Sequence, residues 1–397
     1  MTKIYLKPRR DESVRRFHPW VFSGAIANVV GNPAEGDLVQ VFSAEGEYLA
    51  SGHWQIGSIA VRILSFCGDP AAPGFWNDAV AAAFAARSAA GLTDAPDTDC
   101  YRLVHGEGDG LPGLIIDYYD GVCVMQAHSA GMFRAKDRIC EALKALYGPS
   151  LKAVYDKSSG TAPFKAGLDL VDGYLYKSEG FANSETVVHE HGHSFLVNWE
   201  EGQKTGFFLD QRENRALVQK YSRGREVLNL FCYTGGFSVY ALGGGAKHVD
   251  SVDSSQKAMD LVARNVALNG FGGDMHSGYC ADVKDFMTEV PEGKYDLMIV
   301  DPPAFAKHRG VLDKALRAYQ RLNASALSRI APGGLMFTFS CSQVVSRQDF
   351  LEAVFSAAAQ TGRSVRILDR LNQPADHAVN IYHPEGEYLK GLLLYVE

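Results

Sequence analysis

The chain has 397 residues, of which 46% are hydrophobic and 21% are charged. Its length exceeds the size at which a single hydrophobic core stops growing, so we expect two or three domains. The net charge of −7 does not indicate a general binder of nucleic acids. The seven cysteines are odd in number and form no C-x-x-C pair, which argues against a disulfide framework and a cysteine zinc site. With no signal-like or membrane-spanning apolar run, the sequence predicts a cytoplasmic protein that does not engage a membrane.

The first part of the chain consists of short predicted strands separated by glycine, proline and asparagine. These strands are 20–22, 38–42, 48–52 and 59–64. Little helical periodicity accompanies them. The pattern therefore predicts a small β-barrel or sandwich over residues 1–72.

After a linker rich in glycine and proline, residues 73–190 mix helix and strand signals. A helix is predicted over 77–90, and strands over 101–105, 114–118 and 122–126. This mixture predicts a central α+β domain.

From about residue 195 the pattern changes to strands that alternate with helices. The predicted strands are 227–231, 248–253, 296–301 and 335–339. Such alternation predicts a parallel, doubly wound, Rossmann-like α/β sheet in a third domain, residues 191–397. Ligands of these sheets bind at the carboxyl ends of the strands, which is where Asp253, Asp301 and Cys341 fall.

The turn 231–237 follows the first strand of this sheet. Its glycines let a ligand approach the backbone closely, but their spacing does not match G-x-G-x-x-G. Asp253, at the end of the next strand, is placed to accept hydrogen bonds from both hydroxyls of a ribose. A ribose carboxylate without a pyrophosphate loop indicates S-adenosylmethionine, with Asp282 as a candidate acceptor for the adenine amine. The candidate contacts in the turn are Phe231, Thr234, Gly235 and Gly236.

Two candidate catalytic residues follow the later strands. Asp301 is held by a rigid Asp-Pro-Pro turn, and its carboxyl group can accept from an amino group or, when protonated, donate to a ring nitrogen. Cys341, in a Ser-Cys-Ser triplet, is either a buried packing residue or a nucleophile. A thiolate that adds to carbon 6 of a pyrimidine converts carbon 5 into an enamine that takes a methyl group. Given the cofactor and Asp301, we interpret Cys341 as the nucleophile.

Two local clusters of positive charge occur on this acidic chain. Residues 1–24 hold six bases and two acids, and residues 307–329 hold six bases and one acid. Single clusters are often solvated faces, but two of them favour a polyanionic partner. The candidate RNA-binding residues are Arg9, Arg10, Arg15, Arg16, Lys314, Arg317 and Arg321.

The segment 189–193, His-Glu-His-Gly-His, matches the zinc motif H-E-x-x-H. That motif needs a helix to bring both histidines to one metal. Gly192 and the β-branched residues before it favour a strand or hairpin instead. We therefore expect no metal site.

Taken together, these motifs resemble the bacterial large-subunit rRNA methyltransferase I family. The similar segments are 16–24, 108–113, 204–212, 229–237, 252–255, 301–305, 339–342 and 382–391. The first looks like the opening of an RNA-binding PUA β-barrel, and the resemblance covers nearly the whole chain. It implies a class I S-adenosylmethionine methyltransferase that acts on carbon 5 of a cytosine in 23S rRNA.

The resemblance also implies roles for single residues. Cofactor contacts would come from Gly235, Asp253 and Asp282, with Phe208 and Gln211 at the methionine end. Asp301 would hold the cytosine, and Cys341 would attack it. The partner would be 23S rRNA or a large ribosomal subunit precursor, while a homodimer stays open. The alternatives also left open are methylation of a guanine ring nitrogen or an exocyclic amine, a non-catalytic RNA-binding protein and a metalloprotein.

Overall fold

The computed structural model describes residues 1–163, 166–306 and 308–397, so Lys307 of the second basic cluster lies outside the described residues. The described residues divide into two compact units. The first unit comprises Met1–Val188, Val197–Leu209 and Ala375–Gly386. The second unit comprises His189–Leu196, Asp210–Pro374 and Glu387–Glu397.

The first unit begins with a sheet whose strands are short and irregularly connected. Its elements are β1 (Thr2–Leu6), helix α1 (Glu12–Arg15), β2 (Trp20–Phe22), β3 (Ile26–Val30), β4 (Leu38–Phe42), β5 (Tyr48–Trp54) and β6 (Ile59–Ser65). The strands pair in the order β2-β6-β5-β4-β1-β3. Their inward side chains form a separate hydrophobic core. The predicted strands are confirmed, and β1 and β3 are additions.

The same unit contains a second sheet with helices. The elements are α2 (Phe75–Ala89), β7 (Cys100–His105), β8 (Leu114–Tyr119), β9 (Val122–Ala127), α3 (Ala130–Arg134), α4 (Lys136–Tyr147), β10 (Ala153–Asp156) and β11 (Gly173–Lys177). The strands pair in the order β11-β10-β9-β8-β7. Because this core is distinct from the first yet lies in the same unit, the domain limits 1–72 and 73–190 stay a prediction.

A hairpin follows, with strands β12 (Glu185–Glu190) and β13 (His193–Asn198). His191 and Gly192, between the strands, have φ values of +47° and +78°. This left-handed turn is typical of a two-residue hairpin connection. The H-E-x-x-H segment therefore lacks the helix that a zinc-protease site requires.

The second unit is built around one sheet, which we call the C-terminal sheet. Its strands are β14 (Glu226–Leu230), β15 (His248–Asp253), β16 (His276–Cys280), β17 (Leu297–Val300), β18 (Gly334–Ser340), β19 (Val365–Leu371) and β20 (Lys390–Val396). The helices are α5 (Arg212–Tyr221), α6 (Gly236–Gly243), α7 (Gln256–Leu268), α8 (Val283–Glu289), α9 (Leu312–Arg329) and α10 (Arg347–Thr361). The central strands are buried along their whole length, as expected for strands covered on both faces.

The C-terminal sheet has the strand order β16-β15-β14-β17-β18-β20-β19. From β16 to β18 neighbouring strands are parallel, as the alternating pattern predicts. Strands β19 and β20 were not predicted from the sequence. Strand β20 runs antiparallel to both neighbours, so the sheet is not wholly parallel. No helix in the described part of the chain is long and apolar enough to cross a membrane.

Candidate active site

The candidate site lies at the carboxyl edge of the C-terminal sheet. Strands β14, β15, β17 and β18 all end at this edge because they are mutually parallel. The glycine turn follows β14, Asp253 ends β15, and Asp301 follows β17. Cys341 follows β18. The predicted strand-end residues therefore share one edge.

The turn after β14 has an uncommon backbone. Phe231 and Tyr233 have φ values of +59° and +46°, and Gly235 has +79°. The Gly235 amide donates to the Cys232 carbonyl at 2.8 Å, and α6 begins at the next residue. A Cβ on Gly235 would lie 3.1 Å from a methyl group of Val262, so both the backbone conformation and the packing favour glycine here.

The rest of this turn is anchored from α7. Thr234 is buried, and its carbonyl accepts from the Asn265 amide at 2.8 Å. Gly236 packs against the Arg215 side chain, whose atoms would lie 3.1 Å from an added Cβ. The turn thus packs against α7 and Arg215 and leaves little room for side chains at its glycines.

Asp253 is oriented by backbone amides. One carboxylate oxygen accepts from the Tyr233 amide at 3.0 Å, and the other from the Ser255 amide at 3.0 Å. Each oxygen keeps a lone pair that can accept a ribose hydroxyl. Together with the glycine turn 231–237, these two carboxylate oxygens fit the adenosyl part of S-adenosylmethionine.

Asp282 has a structural use of its own. It is the N-cap of α8, and its Oδ1 accepts from the amides of Lys284 at 2.8 Å and Asp285 at 3.3 Å. Capping is a sufficient reason for an aspartate at this position. Its contact with an adenine amine therefore stays a prediction.

Gln211 and Phe208, both assigned to the methionine end, fall in different units. The Gln211 amide donates to Asp301 at 3.1 Å, and its Oε1 accepts from Asn214 at 2.6 Å. Gln211 is only 4% exposed and thus fixes the orientation of the Asp301 carboxylate. Phe208 lies in the first unit, where the Lys204 ammonium is 4.7 Å from its ring, and the cofactor roles of Gln211 and Phe208 stay predictions.

Cys341 is partly buried directly after β18. Its Sγ lies 3.9 Å from the carbonyl oxygen of Pro302, in the Asp-Pro-Pro turn. The flanking Ser340 and Ser342 are buried, and both hydroxyls lie 3.0 Å from the Tyr319 hydroxyl. Burial raises the pKa of Tyr319, so it stays a neutral hydrogen-bonding group. The thiol thus stands between two anchored serines and faces the turn that carries Asp301.

Lys390 is a charged neighbour of Cys341 that the sequence analysis did not single out. It pairs with Ser340 across β18 and β20, and its Nζ donates to the Ser342 carbonyl at 2.7 Å. It is 4% exposed. Burial lowers its pKa from 10.5 to about 8, whereas attraction to Cys341 acts in the opposite direction. The sequence contained one indication of this buried charge, namely a lysine at the start of the apolar run 389–396.

The predicted RNA-binding residues differ in their surroundings. Lys314, Arg317 and Arg321 are exposed on one face of α9, opposite the buried Tyr319. Arg15 instead pairs with Asp11 and Glu47, and Arg16 pairs with Glu12. Arg9 and Arg10 are exposed. The face of α9 is therefore the stronger candidate for phosphate contacts.

One group of metal-ligand side chains occurs among the described residues, outside this site. Ligand atoms of His18, His383 and Glu385 lie within 4.8 Å of one another. His18 Nδ1 accepts from the Trp20 amide at 3.1 Å, so the proton of the neutral ring is on Nε2. That Nε2 faces the Glu385 carboxylate at 3.8 Å. In this arrangement His18 presents an N–H group, and not a lone pair, toward Glu385.

Comparison with known proteins agrees with a methyltransferase site at this edge of the sheet. A profile described as S-adenosylmethionine-dependent methyltransferase matches residues 175–393, and a PUA-like domain profile matches residues 4–66. A protein of Alteromonas mediterranea named ribosomal RNA large subunit methyltransferase I is 40% identical over 395 residues, 98% of each chain. A protein of the same name from Aeromonas hydrophila is 40% identical over 397 residues, again 98% of each. The chain belongs to the ribosomal RNA large subunit methyltransferase I family.

Membership of this family confirms the predicted methyltransferase fold, the N-terminal PUA-like domain and the cofactor S-adenosylmethionine. Two solved structures agree in fold over 100% of both chains. One is a Streptococcus mutans protein described as an S-adenosylmethionine-dependent methyltransferase, with a TM-score of 0.85 and 24% identity. The other is a methyltransferase complexed with SAH (S-adenosylhomocysteine), with a TM-score of 0.86 and 24% identity.

The Gly235→Ala variant tests the cofactor cradle. An L-residue at this φ costs about 1–2 kcal/mol, and the new Cβ would push against Val262. We expect S-adenosylmethionine affinity to fall about tenfold or more by titration calorimetry, because the turn must shift. Gly270→Ala is the control, since its φ of +74° is similar and its Cβ would meet nothing within 4 Å. Equal affinities in the two variants would contradict this role.

Replacing Lys390 with methionine tests the buried charge. Since the folded-state pKa of about 8 is below the ordinary lysine pKa of 10.5, the unfolded chain binds more protons between these pH values. The lysine therefore destabilises the fold by about 3 kcal/mol below pH 8, and this cost disappears as pH rises toward 10.5. In urea unfolding, the free energy of unfolding of the wild type should rise relative to that of Lys390→Met between pH 8 and 10.5. Lys284→Met replaces an exposed lysine, so its free energy of unfolding should depend on pH in the same way as that of the wild type.

Proposed function

We propose that this methyltransferase methylates carbon 5 of a cytosine in the RNA of the large ribosomal subunit, through a covalent adduct with Cys341. The observation that carries the proposal is the position of the Cys341 thiol. It lies at the carboxyl end of β18 and within 3.9 Å of the turn that holds Asp301. The curated relatives named ribosomal RNA large subunit methyltransferase I support RNA as the substrate.

A thiol at this position suits carbon methylation in particular. Carbon 5 of a cytosine is too weak a nucleophile to take a methyl group directly. Addition of a thiolate to carbon 6 makes an enamine and divides one difficult step into two easier ones. Methylation of a nitrogen needs no thiol. When bound, the cofactor would supply an electrophilic methyl group and would leave as S-adenosylhomocysteine.

The residues of this chain would divide the remaining work. The cytosine is flipped out of its stack, because its ring edge cannot otherwise be reached. Cys341 forms the S–C6 bond while Asp301, oriented by Gln211, binds the altered ring. After carbon 5 has taken the methyl group, its proton passes to water. The S–C6 bond then breaks, and its electron pair restores the thiolate.

Lys390 supports this chemistry electrostatically. A cation close to a cysteine stabilises the thiolate, which is the reactive form. The Lys390 ammonium is buried and attracts a charged Cys341 in a medium with little screening. Because its Nζ is bonded to the Ser342 carbonyl, the charge is fixed in place.

A second candidate function is methylation of a guanine ring nitrogen or an exocyclic amine. The hydrogen bond between Gln211 and Asp301 favours it equally, since an oriented carboxylate is the main requirement for holding such a base. Cys341 distinguishes the two reactions.

The Cys341→Ala variant tests the adduct. We expect turnover on 23S rRNA transcripts to fall by about 10³-fold or more, as when other nucleophiles are removed. Methyl transfer from radiolabelled S-adenosylmethionine provides the measurement. Cys280→Ala removes an exposed cysteine of the same sheet and should keep wild-type turnover. Near-normal turnover of Cys341→Ala would contradict the covalent adduct and favour methylation of a nitrogen.

The face of α9 provides a test of RNA binding. Replacing Lys314, Arg317 and Arg321 together with glutamine should weaken binding of the transcript and lower the slope of log K against log salt. About 0.7–0.9 is expected for each lost phosphate contact. Arg15→Gln should change the slope less, because that guanidinium is already paired with two carboxylates. An unchanged slope in the triple variant would remove α9 from the RNA interface.

A further inference from the structure

Helix α1 ends in a way that is costly for its sequence. The Phe17 amide donates to the Val14 carbonyl at 2.9 Å, and the His18 amide donates to the Ser13 carbonyl at 2.9 Å. This pair of bonds defines a Schellman motif, in which the residue after the C-cap is left-handed and usually glycine. Here that residue is Phe17, with φ of +63°. A bulky aromatic at such a φ is unusual and calls for a reason other than local stability.

The Phe17 ring is part of an exposed aromatic patch within the first unit. Its centroid lies 5.3 Å from the rings of both Tyr382 and Phe66. Phe17 is 47% exposed, Tyr382 50% and the neighbouring Ile381 85%. Apolar side chains grouped in this way on a surface mark a binding site more often than isolated ones do.

A cavity of about 450 Å³ adjoins this patch, and Tyr382 forms part of its wall. The other lining residues are Glu12, Ser13, Arg16 and His18. The Arg16 guanidinium is 76% exposed and forms an ion pair with Glu12, which is 68% exposed. Such an exposed pair is weak and can be exchanged for a phosphate. The cavity therefore combines an aromatic wall with a cation that a nucleotide can reach.

We propose that Phe17 and Tyr382 form a stacking site for an unpaired nucleobase of the RNA, with Arg16 taking the adjacent phosphate. These residues belong to the first unit, whereas Asp301 and Cys341 belong to the second, and the inference rests on the proposed RNA substrate. An aromatic ring offers a base its π-face whatever the base identity. Charge complementarity favours a nucleotide as the occupant, because residues 1–24 carry six bases and two acids, and Arg9 and Arg10 are exposed there although Arg15 and Arg16 pair with carboxylates.

Paired substitutions separate stacking from simple apolar contact. Tyr382→Phe keeps the ring and should bind like wild type, whereas Tyr382→Leu keeps an apolar side chain without a π-face. We expect Tyr382→Leu to bind a fluorescein-labelled 12-nucleotide oligo(A) about tenfold or more weakly, as measured by anisotropy. Phe355→Ala, which removes an exposed phenylalanine of α10 in the second unit, is the control and should not change affinity.

Phe17→Gly tests the left-handed position directly. Glycine relieves the backbone strain, so the melting temperature should stay within about 4 °C of wild type despite the lost ring. Oligo(A) affinity should nevertheless fall as in Tyr382→Leu. Stability that is kept while affinity is lost shows that the ring serves the ligand. A large loss of stability with unchanged affinity would show that it serves packing and would overturn the proposal.

Salt dependence separates the ring from the guanidinium. Tyr382→Leu should keep the wild-type slope of log K against log salt, because stacking neutralises no phosphate. Arg16→Gln should lower the slope by about 0.7. If neither slope nor affinity changes and size-exclusion light scattering shows a changed molecular mass, the patch is a surface for self-association and the stacking site is wrong.

Failure of this inference is distinguishable from failure of the proposed function. Wild-type protein that binds and methylates 23S rRNA transcripts, with unchanged oligo(A) binding in Tyr382→Leu, refutes only the stacking site. Wild-type protein that binds neither RNA refutes the proposed substrate. In a third outcome, Tyr382→Leu loses oligo(A) binding and still methylates the transcript normally when cofactor and transcript are both saturating. That result would support the stacking site, which then contributes to affinity alone.

Discussion

The parallel pairing of β14, β15, β17 and β18 is the constraint on which the candidate site depends. Parallel strands must point their carboxyl ends to the same edge, and each crossover helix returns the chain to the opposite edge. Residues that are distant in sequence thereby meet without any further device. Asp253, Asp301 and Cys341 owe their common location to this pairing. A single antiparallel strand in this central part would have removed one of them from the edge.

The antiparallel strand β20 adds a feature that parallel strands could not supply. It runs back along β18, so its first residue, Lys390, meets the last residue of β18, Ser340. This pairing places the buried Lys390 next to Cys341. Burying a cation without a close carboxylate is unfavourable. Here the Ser342 carbonyl satisfies one donor, and a thiolate at Cys341 would compensate the charge.

Local signals were sufficient to predict the strands, the glycine turn and the strand-end residues, because each depends on periodicity or backbone geometry over a few positions. Long-range contacts were not accessible in this way. The hydrogen bond from Gln211 to Asp301 and the approach of Lys390 to Cys341 depend on the tertiary pairing of distant segments. The charge count also could not reveal that Arg15 is already paired with two carboxylates.

Violations of local preference are informative in this chain because of where they occur. Among the described residues other than glycine, the aromatic ones with left-handed backbone are Phe17, Phe231 and Tyr233. Phe231 and Tyr233 form the turn beside Asp253, where the Tyr233 amide binds the carboxylate. The same kind of strain at Phe17 occurs far from that turn in sequence, next to an exposed tyrosine and a cavity. Strain of this type persists where the surroundings impose it, and it is found preferentially at binding sites. In the glycine turn it shapes the proposed cofactor site, and by the same reasoning Phe17 marks the proposed stacking site.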